Sequence, residues 1–156
     1  MNKSSFVTGL LVCMLSSGAA VASELTITTT LNNYTGNGAY LAIYLTDSQG
    51  KYQRTLWVAG RKAKYYKHLA DWSRGSGQQL AEYDGLSGAS VSSGTSLVIK
   101  VVIADNLIDA GYLIRVDSAV EDLGEYRREV ELPLTTTGVG IEAHGISFIQ
   151  SLSYTL

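Results

Sequence analysis

The chain has 156 residues, of which 46% are hydrophobic and 17% are charged, and its net charge is −2. That composition supports one packed domain and argues against a disordered chain. No block of basic residues occurs, which argues against binding nucleic acid by neutralising its phosphates. The chain contains 16 Gly and 10 Tyr but only one Pro, and Thr, Val, Ile and Tyr recur in short alternating runs. This profile is typical of a β-rich fold.

The first two dozen residues have the pattern of a secretory signal peptide. Lys3 supplies a positive charge, and residues 6–15 form an apolar run that is too short to span a bilayer. Small residues follow this run, as a signal peptidase requires. We expect cleavage after Ala22 or, as a second choice, after Ser23.

These boundaries predict a signal peptide over residues 1–22 and a single β-sandwich domain over residues 23–156. The mature protein is then periplasmic and is not inserted in the membrane. Cys13 is the only cysteine and leaves with the signal, so we expect neither a disulfide nor a thiolate metal site. A lipid anchor on Cys13 is the weaker interpretation, because Val12 stands where a small residue is needed.

Alternation of apolar and polar residues predicts about eight β-strands. They cover residues 24–33, 40–46, 52–59, 96–105, 111–120, 126–132, 138–143 and 147–154. The near-continuous apolar run in residues 96–105 predicts a central strand that is buried on both faces. Tyr65, Leu69 and Trp72 recur at helical spacing, which predicts one short helix within residues 61–74. Short connections between these elements favour an immunoglobulin-like antiparallel β-sandwich.

Residues 84–90 read Asp-Gly-Leu-Ser-Gly-Ala-Ser, a small and hydroxyl-bearing stretch that is typical of a loop. The stretch also resembles the acceptor sequence of ApbE-type flavin transferases, which esterify the phosphate of FMN onto a protein hydroxyl. That sequence has Asp, two variable residues, Ser or Thr, Gly, Ala, and an acceptor Ser or Thr. The five fixed positions are matched by Asp84, Ser87, Gly88, Ala89 and Ser90. Ser90 is the acceptor that this resemblance implies.

The chain also resembles, over about residues 25–134, a bacterial family of predicted periplasmic domains of unassigned function. Members occur beside PepSY-type membrane reductases and flavin transferases. The segments that carry the resemblance are residues 40–56, 64–72, 84–90 and 111–126. Thr is expected more often at the acceptor position, but the hydroxyl of Ser90 forms the same phosphoester.

The resemblance implies a periplasmic electron-transfer protein that carries FMN as a covalent phosphoester on Ser90. Electrons would come from a PepSY-type membrane reductase and pass to an extracytoplasmic acceptor, so the protein is a redox carrier more than an enzyme with its own substrate. Asp84 would help present the acceptor stretch to the transferase or would contact a metal ion in that enzyme. Gly88 and Ala89 beside the acceptor keep it free of bulk, and Gly88 also tolerates unusual backbone angles.

Trp72 and Tyr83 are the candidate partners for stacking on the flavin ring, with Tyr65 and Tyr66 as further aromatic residues nearby. The alternative for each is ordinary packing in the core. The lysines of the predicted helix would attract an anionic reduced flavin, or would simply form a solvated face. They are Lys62, Lys64 and Lys67.

Other functions have weaker support in the sequence. His68 and His144 are the only histidines and lie in no metal-binding pattern, and no nucleophile-elbow pattern indicates a hydrolase. The main rival is a non-redox immunoglobulin-like module for binding or adhesion, in which residues 84–90 are only a loop. An accessory chaperone for a membrane partner is a third hypothesis.

Overall fold

The computed structural model, which describes residues 21–156, contains eight β-strands in two sheets. The predicted all-β sandwich is confirmed, with strands far outweighing a few short helices. Lys3, the apolar run of residues 6–15 and Cys13 lie outside the described residues. The expectations of a signal peptide and of an unlipidated Cys13 therefore stay predictions.

The smaller sheet has three strands, with β1 (Ala22–Leu31) between β5 (Ser96–Ala104) and β8 (Ile149–Thr155). Both neighbours are antiparallel to β1. Alternate residues of β1 are buried, as the period of two in its sequence predicts, and Ile27 is one of them. One face of this sheet therefore covers the core, and the other face meets solvent.

The larger sheet has five strands in the order β4-β3-β2-β6-β7. They are β2 (Tyr40–Thr46), β3 (Tyr52–Ala59), β4 (Ser87–Gly88), β6 (Leu113–Val120) and β7 (Gly124–Pro133). All neighbours are antiparallel except β4, which runs parallel to β3. The short strand β4 therefore forms one edge of this sheet.

Two hydrophobic clusters lie on opposite faces of the five-stranded sheet. The main core fills the space between the two sheets and includes Leu25, Ile27, Leu41, Ile43, Val116 and Leu152. A smaller outer cluster lies beneath the helices and consists of Ala42, Tyr44, Val58, Tyr66, Leu69, Trp72 and Ala119. Since both faces are covered, β2 and β6 are buried along nearly their whole length.

The single helix predicted within residues 61–74 is wrong in detail. A 3₁₀-helix, Ala63–His68, is followed by the α-helix α1 (Ala70–Ser76), because Leu69 between them has non-helical backbone angles. The α-helix α2 (Leu80–Tyr83) follows, and two further 3₁₀-helices are Asp105–Leu107 and Thr136–Gly138. No helix in residues 21–156 has the length and apolar character needed to cross a bilayer.

Two strand predictions are corrected by the structure. The strand predicted at residues 96–105 forms as β5, but it is an edge strand with one solvent face, on which Val98 is 57% exposed and Val102 is 62% exposed. Within residues 21–156 no layer covers that face, so the apolar run does not mark a central strand. Residues 138–143 form no strand and contribute only an isolated bridge from Ala143 to Leu152.

Candidate functional site

The acceptor stretch, residues 84–90, is attached to the edge of the five-stranded sheet. The backbone N–H of Val58 donates to Leu86 O at 2.8 Å, and the N–H of Gly60 donates to Gly88 O at 2.9 Å. These bonds make β4 a parallel neighbour of β3. The stretch predicted as a loop is therefore held by regular backbone hydrogen bonds over part of its length.

Ser90 lies between this edge and a second backbone anchor. Immediately after it, the N–H of Val91 donates to Ala39 O at 2.9 Å, and the N–H of Ala39 donates to Val91 O at 2.7 Å. Ser90 itself is exposed. A Cβ added to Gly38 would lie 2.8 Å from Ser90 Oγ, so the glycine at that position leaves room for the hydroxyl. The fold thus presents Ser90 on a fixed backbone.

The two glycines of the acceptor stretch have different roles. Gly85 has a φ of 72°, in the left-handed region that favours glycine, and an added Cβ would meet no atom within 4 Å. Gly88 has no such backbone angle, and the expectation that it supplies unusual angles is wrong. Gly88 is needed for space, because an added Cβ would lie 2.8 Å from Cζ2 of Trp57.

Ser90 and Ala89 form one wall of a cavity of about 930 Å³, which we call the Ser90 cavity. This volume is within the range of small-molecule and cofactor sites. The rest of its lining is Tyr40, Arg61, Lys62, Tyr65, His68 and Glu125, together with Asn37, Gly38 and residues 119–122 and 124. The cavity therefore brings together the start of β2, the 3₁₀-helix and the β6–β7 turn.

Aromatic rings and charges of both signs face the Ser90 cavity. The rings of Tyr40 and Tyr65 lie edge to face with centroids 5.6 Å apart. Nδ1 of His68 lies 2.7 Å from Oε2 of Glu125, and both side chains are half-exposed. Arg61 and Lys62 supply cations to the lining. The described part of the chain contains no group of three or more His, Cys, Asp or Glu side chains arranged to hold a metal ion.

Several residues singled out in the sequence lie away from the Ser90 cavity. Asp84 and Ser87 are exposed but do not line it. Trp72 is fully buried, and its indole N–H donates to Thr55 Oγ1 at 2.9 Å. Trp72 therefore offers no face for stacking on a flavin, and the expectation that it does so is corrected: it is a core residue.

Tyr83 also belongs to the outer cluster more than to the cavity. It is half-buried, and its ring lies edge to face with Tyr66 at 5.3 Å and with Trp72 at 6.0 Å between centroids. Of the predicted lysines, only Lys62 lines the Ser90 cavity, while Nζ of Lys64 lies 4.8 Å from the centroid of the Tyr65 ring.

Tyr40, Arg61 and Glu125 are lining residues that reasoning from the sequence did not find. Tyr40 is 50 positions from Ser90 in the chain and reaches it only because Ala39 and Val91 form a bridge. One feature of the sequence hints that Tyr40 lines a cavity. Tyr40 is the first residue of its strand and lies on the same face as Ala42, and a side chain at the end of a strand can extend beyond the layer that covers that face.

Comparison with known proteins gives one match. The model of a family described as "Predicted periplasmic protein (DUF2271)" matches residues 22–151, which include every residue of the Ser90 cavity. No curated protein and no solved structure matches the chain.

Proposed function

Because the chain belongs to this family of predicted periplasmic proteins, we propose that it works in the periplasm as a carrier of FMN esterified to Ser90. One observation carries the proposal: the only residue that the acceptor pattern marks for modification lies exposed on the wall of a cofactor-sized cavity. Among the fixed residues of that pattern, only Ser90 and Ala89 line this cavity. The proposal therefore joins a short sequence pattern to an independent geometric feature.

The attachment step requires an activated flavin donor and a second enzyme, an FMN transferase. Oγ of Ser90 forms a bond to the FMN phosphorus of a flavin adenine dinucleotide, the pyrophosphate bond to AMP breaks, and the hydroxyl proton passes to a base of the transferase. Ala89 beside Ser90 carries only a methyl group, and the open space beside Gly85 leaves room for the transferase. The exposed carboxylate of Asp84 is available for contact with that enzyme.

The chain's own residues would bind and orient the flavin ring. Tyr40 and Tyr65 provide aromatic surface for stacking in the Ser90 cavity. Arg61 and Lys62 would stabilise negative charge on the phosphate or on the ring. The attached FMN would supply the redox chemistry, while the protein controls position and electrostatics. His68, whose Nδ1 lies 2.7 Å from Oε2 of Glu125, also lines the cavity.

The proposed partners follow from this role. A PepSY-type membrane reductase would donate electrons, and an extracytoplasmic oxidant would accept them. The half-exposed pair of His68 and Glu125 forms part of the rim through which such partners would approach. A covalent link suits this location, since a carrier outside the cytoplasm would otherwise lose a freely dissociating cofactor.

Intact-mass spectrometry of the exported protein, produced together with an FMN transferase, tests the proposal directly. We expect a mass increase equal to FMN less one water, located on the peptide that contains Ser90. Ser90→Ala should abolish it, whereas Ser87→Ala and Ser92→Ala, matched controls on exposed hydroxyls nearby, should retain it. An unmodified mass, or a shift that persists in Ser90→Ala, would overturn the proposal and favour a non-redox binding module.

A second variant separates attachment of the flavin from its binding in the cavity. Tyr40→Leu removes a ring from the cavity wall without touching the acceptor stretch. We expect the same mass increase but a brighter flavin fluorescence, because a stacked tyrosine quenches the ring. Unchanged fluorescence in this variant would place the ring elsewhere.

A further inference from the structure

Four of the six arginines in the chain line a second cavity, of about 380 Å³, which we call the arginine cleft. They are Arg74, Arg115, Arg127 and Arg128. The cleft lies on the outer face of the five-stranded sheet, near Tyr44, whereas the Ser90 cavity lies near Tyr40 of the same strand. The two cavities share no lining residue. A chain with a net charge of −2 thus concentrates positive charge at one place.

Among residues 21–156, Asp71 supplies the only carboxylate that lines the arginine cleft. Its oxygens lie 3.4 Å from Nη1 of Arg74, 3.8 Å from Nη1 of Arg127 and 3.2 Å from Nε of Arg128. One carboxylate cannot neutralise three guanidinium groups. Asp71 therefore holds Arg74, Arg127 and Arg128 close together, and the group of four side chains keeps a net positive charge.

The fourth arginine is fixed at the base of the cleft. The side chain of Arg115 is only 10% exposed, and its Nε donates to Oε2 of Glu131 at 2.8 Å. Its guanidinium packs against Gly50, where an added Cβ would lie 2.9 Å from Nη1. Since Nε is already engaged, the two terminal nitrogens of Arg115 remain to meet a ligand or the Gly50 carbonyl, which lies at a long 3.4 Å from Nη1.

An irregularity in strand β7 brings two successive arginines to the same cleft. Val116 pairs with Val130 and Ser118 pairs with Tyr126, so residues 127–129 stand opposite Asp117 alone. In a regular strand, neighbouring side chains point to opposite faces, but this bulge allows Arg127 and Arg128 to line one cavity. Arg128 has a φ of 47°, a conformation that is strained for a residue other than glycine.

We propose that the arginine cleft binds a small anion that carries two or more carboxylate or phosphate groups. Guanidinium groups form paired, charge-assisted hydrogen bonds with such groups, and several arginines can share one multivalent anion. A cleft of about 380 Å³ is large enough for a small polycarboxylate and much smaller than the Ser90 cavity. The site needs no flavin on Ser90, so it stands or falls independently of the proposed function.

Isothermal titration calorimetry of the unmodified protein tests this site, with citrate and pyrophosphate as probes and acetate as the monovalent comparison. We expect saturable binding of citrate or pyrophosphate, binding of acetate at least tenfold weaker, and weakening by added salt. The double variant Arg127→Gln/Arg128→Gln should weaken binding tenfold or more, because each removes a charge-assisted hydrogen bond. Arg74→Gln, on a side chain that is 73% exposed, provides a second variant if the double variant fails to fold.

Arg54→Gln is the matched control, since Arg54 lies in β3 and lines neither cavity. It should bind as the unchanged protein does. Absence of saturable binding of both multivalent probes would overturn the proposal. So would equal weakening by Arg54→Gln, or a lowered melting temperature of the Arg127→Gln/Arg128→Gln variant without any change in binding. That last result would mean that the arginines only neutralise Asp71.

Discussion

The carboxylate of Asp117 joins three separate parts of the molecule from a position that is completely buried. Oδ1 accepts hydrogen bonds from the hydroxyl of Tyr44 at 3.0 Å and from the N–H of Arg128 at 2.9 Å, and Oδ2 accepts one from the N–H of Trp72 at 2.8 Å. Strand β2, the bulge of β7 and helix α1 therefore meet at one side chain. Burial raises the pKa of Asp117, although these hydrogen bonds oppose the rise.

We predict that Asp117→Asn lowers the free energy of unfolding by about 1–3 kcal/mol at neutral pH, as urea denaturation would measure. An amide has one acceptor oxygen, so at least one of the three buried donors loses its partner. Ser118→Ala is not a suitable control, because its hydroxyl bonds to buried Glu129. Ser153→Ala, half-buried on β8, is a milder comparison and should change stability little.

Asp117→Asn should lower the free energy of unfolding less at neutral pH than in acid. Because the folded state raises the pKa of Asp117 above its usual 3.8, protonation favours the folded protein. That contribution is complete below the usual pKa and is lost as the pH rises through the folded pKa. Asp117→Asn cannot titrate, so the stability difference between the two proteins should be larger at pH 4 than at pH 7. A smaller difference at pH 4 would show that hydrogen bonding outweighs burial.

The sequence marks Ser90 as a candidate acceptor but does not reveal most of the residues around it. The acceptor pattern is local and lies within seven consecutive residues, so it is visible without any structure. Tyr40 and Glu125 reach the Ser90 cavity through strand pairing across long stretches of chain, which composition and spacing do not reveal. Trp72 was a candidate for stacking on a flavin because it lies near the pattern in the sequence, with core packing as the alternative. The structure places it in the core.

Strands β2 and β3 begin and end at the residues that alternation predicts, because the turn between them has strong Asp and Gly signals. The position of β5 within its sheet was not predictable in the same way. Its sequence is apolar on both faces, but in the part of the chain that the structure describes no layer covers Val98 and Val102, which are exposed. Lys100 lies between them, and its Nζ is 2.7 Å from Oε1 of Glu24, which marks this face as solvated.

Adjacent valine and isoleucine in β5 provide a paired test of this edge position. We predict that Ile103→Ala, at a side chain that is 1% exposed, lowers the free energy of unfolding by about 2–5 kcal/mol. Val102→Ala, on the solvent face, should cost less than about 1 kcal/mol, mainly through strand propensity. Chemical denaturation of both variants checks the difference. Similar losses from the two would mean that another layer covers β5 in solution.

The whole molecule has three layers: the three-stranded sheet, the five-stranded sheet and the helical cover. Strands β2 and β6 contribute to both clusters: one face of each strand packs in the main core, and the other face packs in the outer cluster. A shared sheet couples the two clusters, since neither can lose its packing without exposing the backbone that supports the other. We therefore expect one cooperative unfolding transition for residues 21–156.

Trp72→Ala tests this coupling, because it removes the largest side chain of the outer cluster and leaves Trp57 as the only tryptophan. We predict a loss of about 3–5 kcal/mol in the free energy of unfolding. Trp57 lies beside Gly88, so its fluorescence reports on the edge that carries the acceptor stretch. This signal should change together with far-ultraviolet circular dichroism during denaturation. An earlier change in fluorescence would show that the edge unfolds separately.

The two backbone anchors around Ser90 have a consequence for how tightly the Ser90 cavity needs to hold a flavin. A group tethered to a fixed backbone samples only the volume that its linker can reach, which corresponds to an effective concentration on the order of millimolar or higher. A cavity with a dissociation constant near 1 mM, or about −4 kcal/mol, would then be substantially occupied by the tethered ring. The same cavity would hardly retain free FMN at micromolar concentrations. Weak intrinsic affinity of the unmodified protein for flavin is thus what a covalent carrier would show, and a mobile ring that can leave the cavity would be able to meet two different partners in turn.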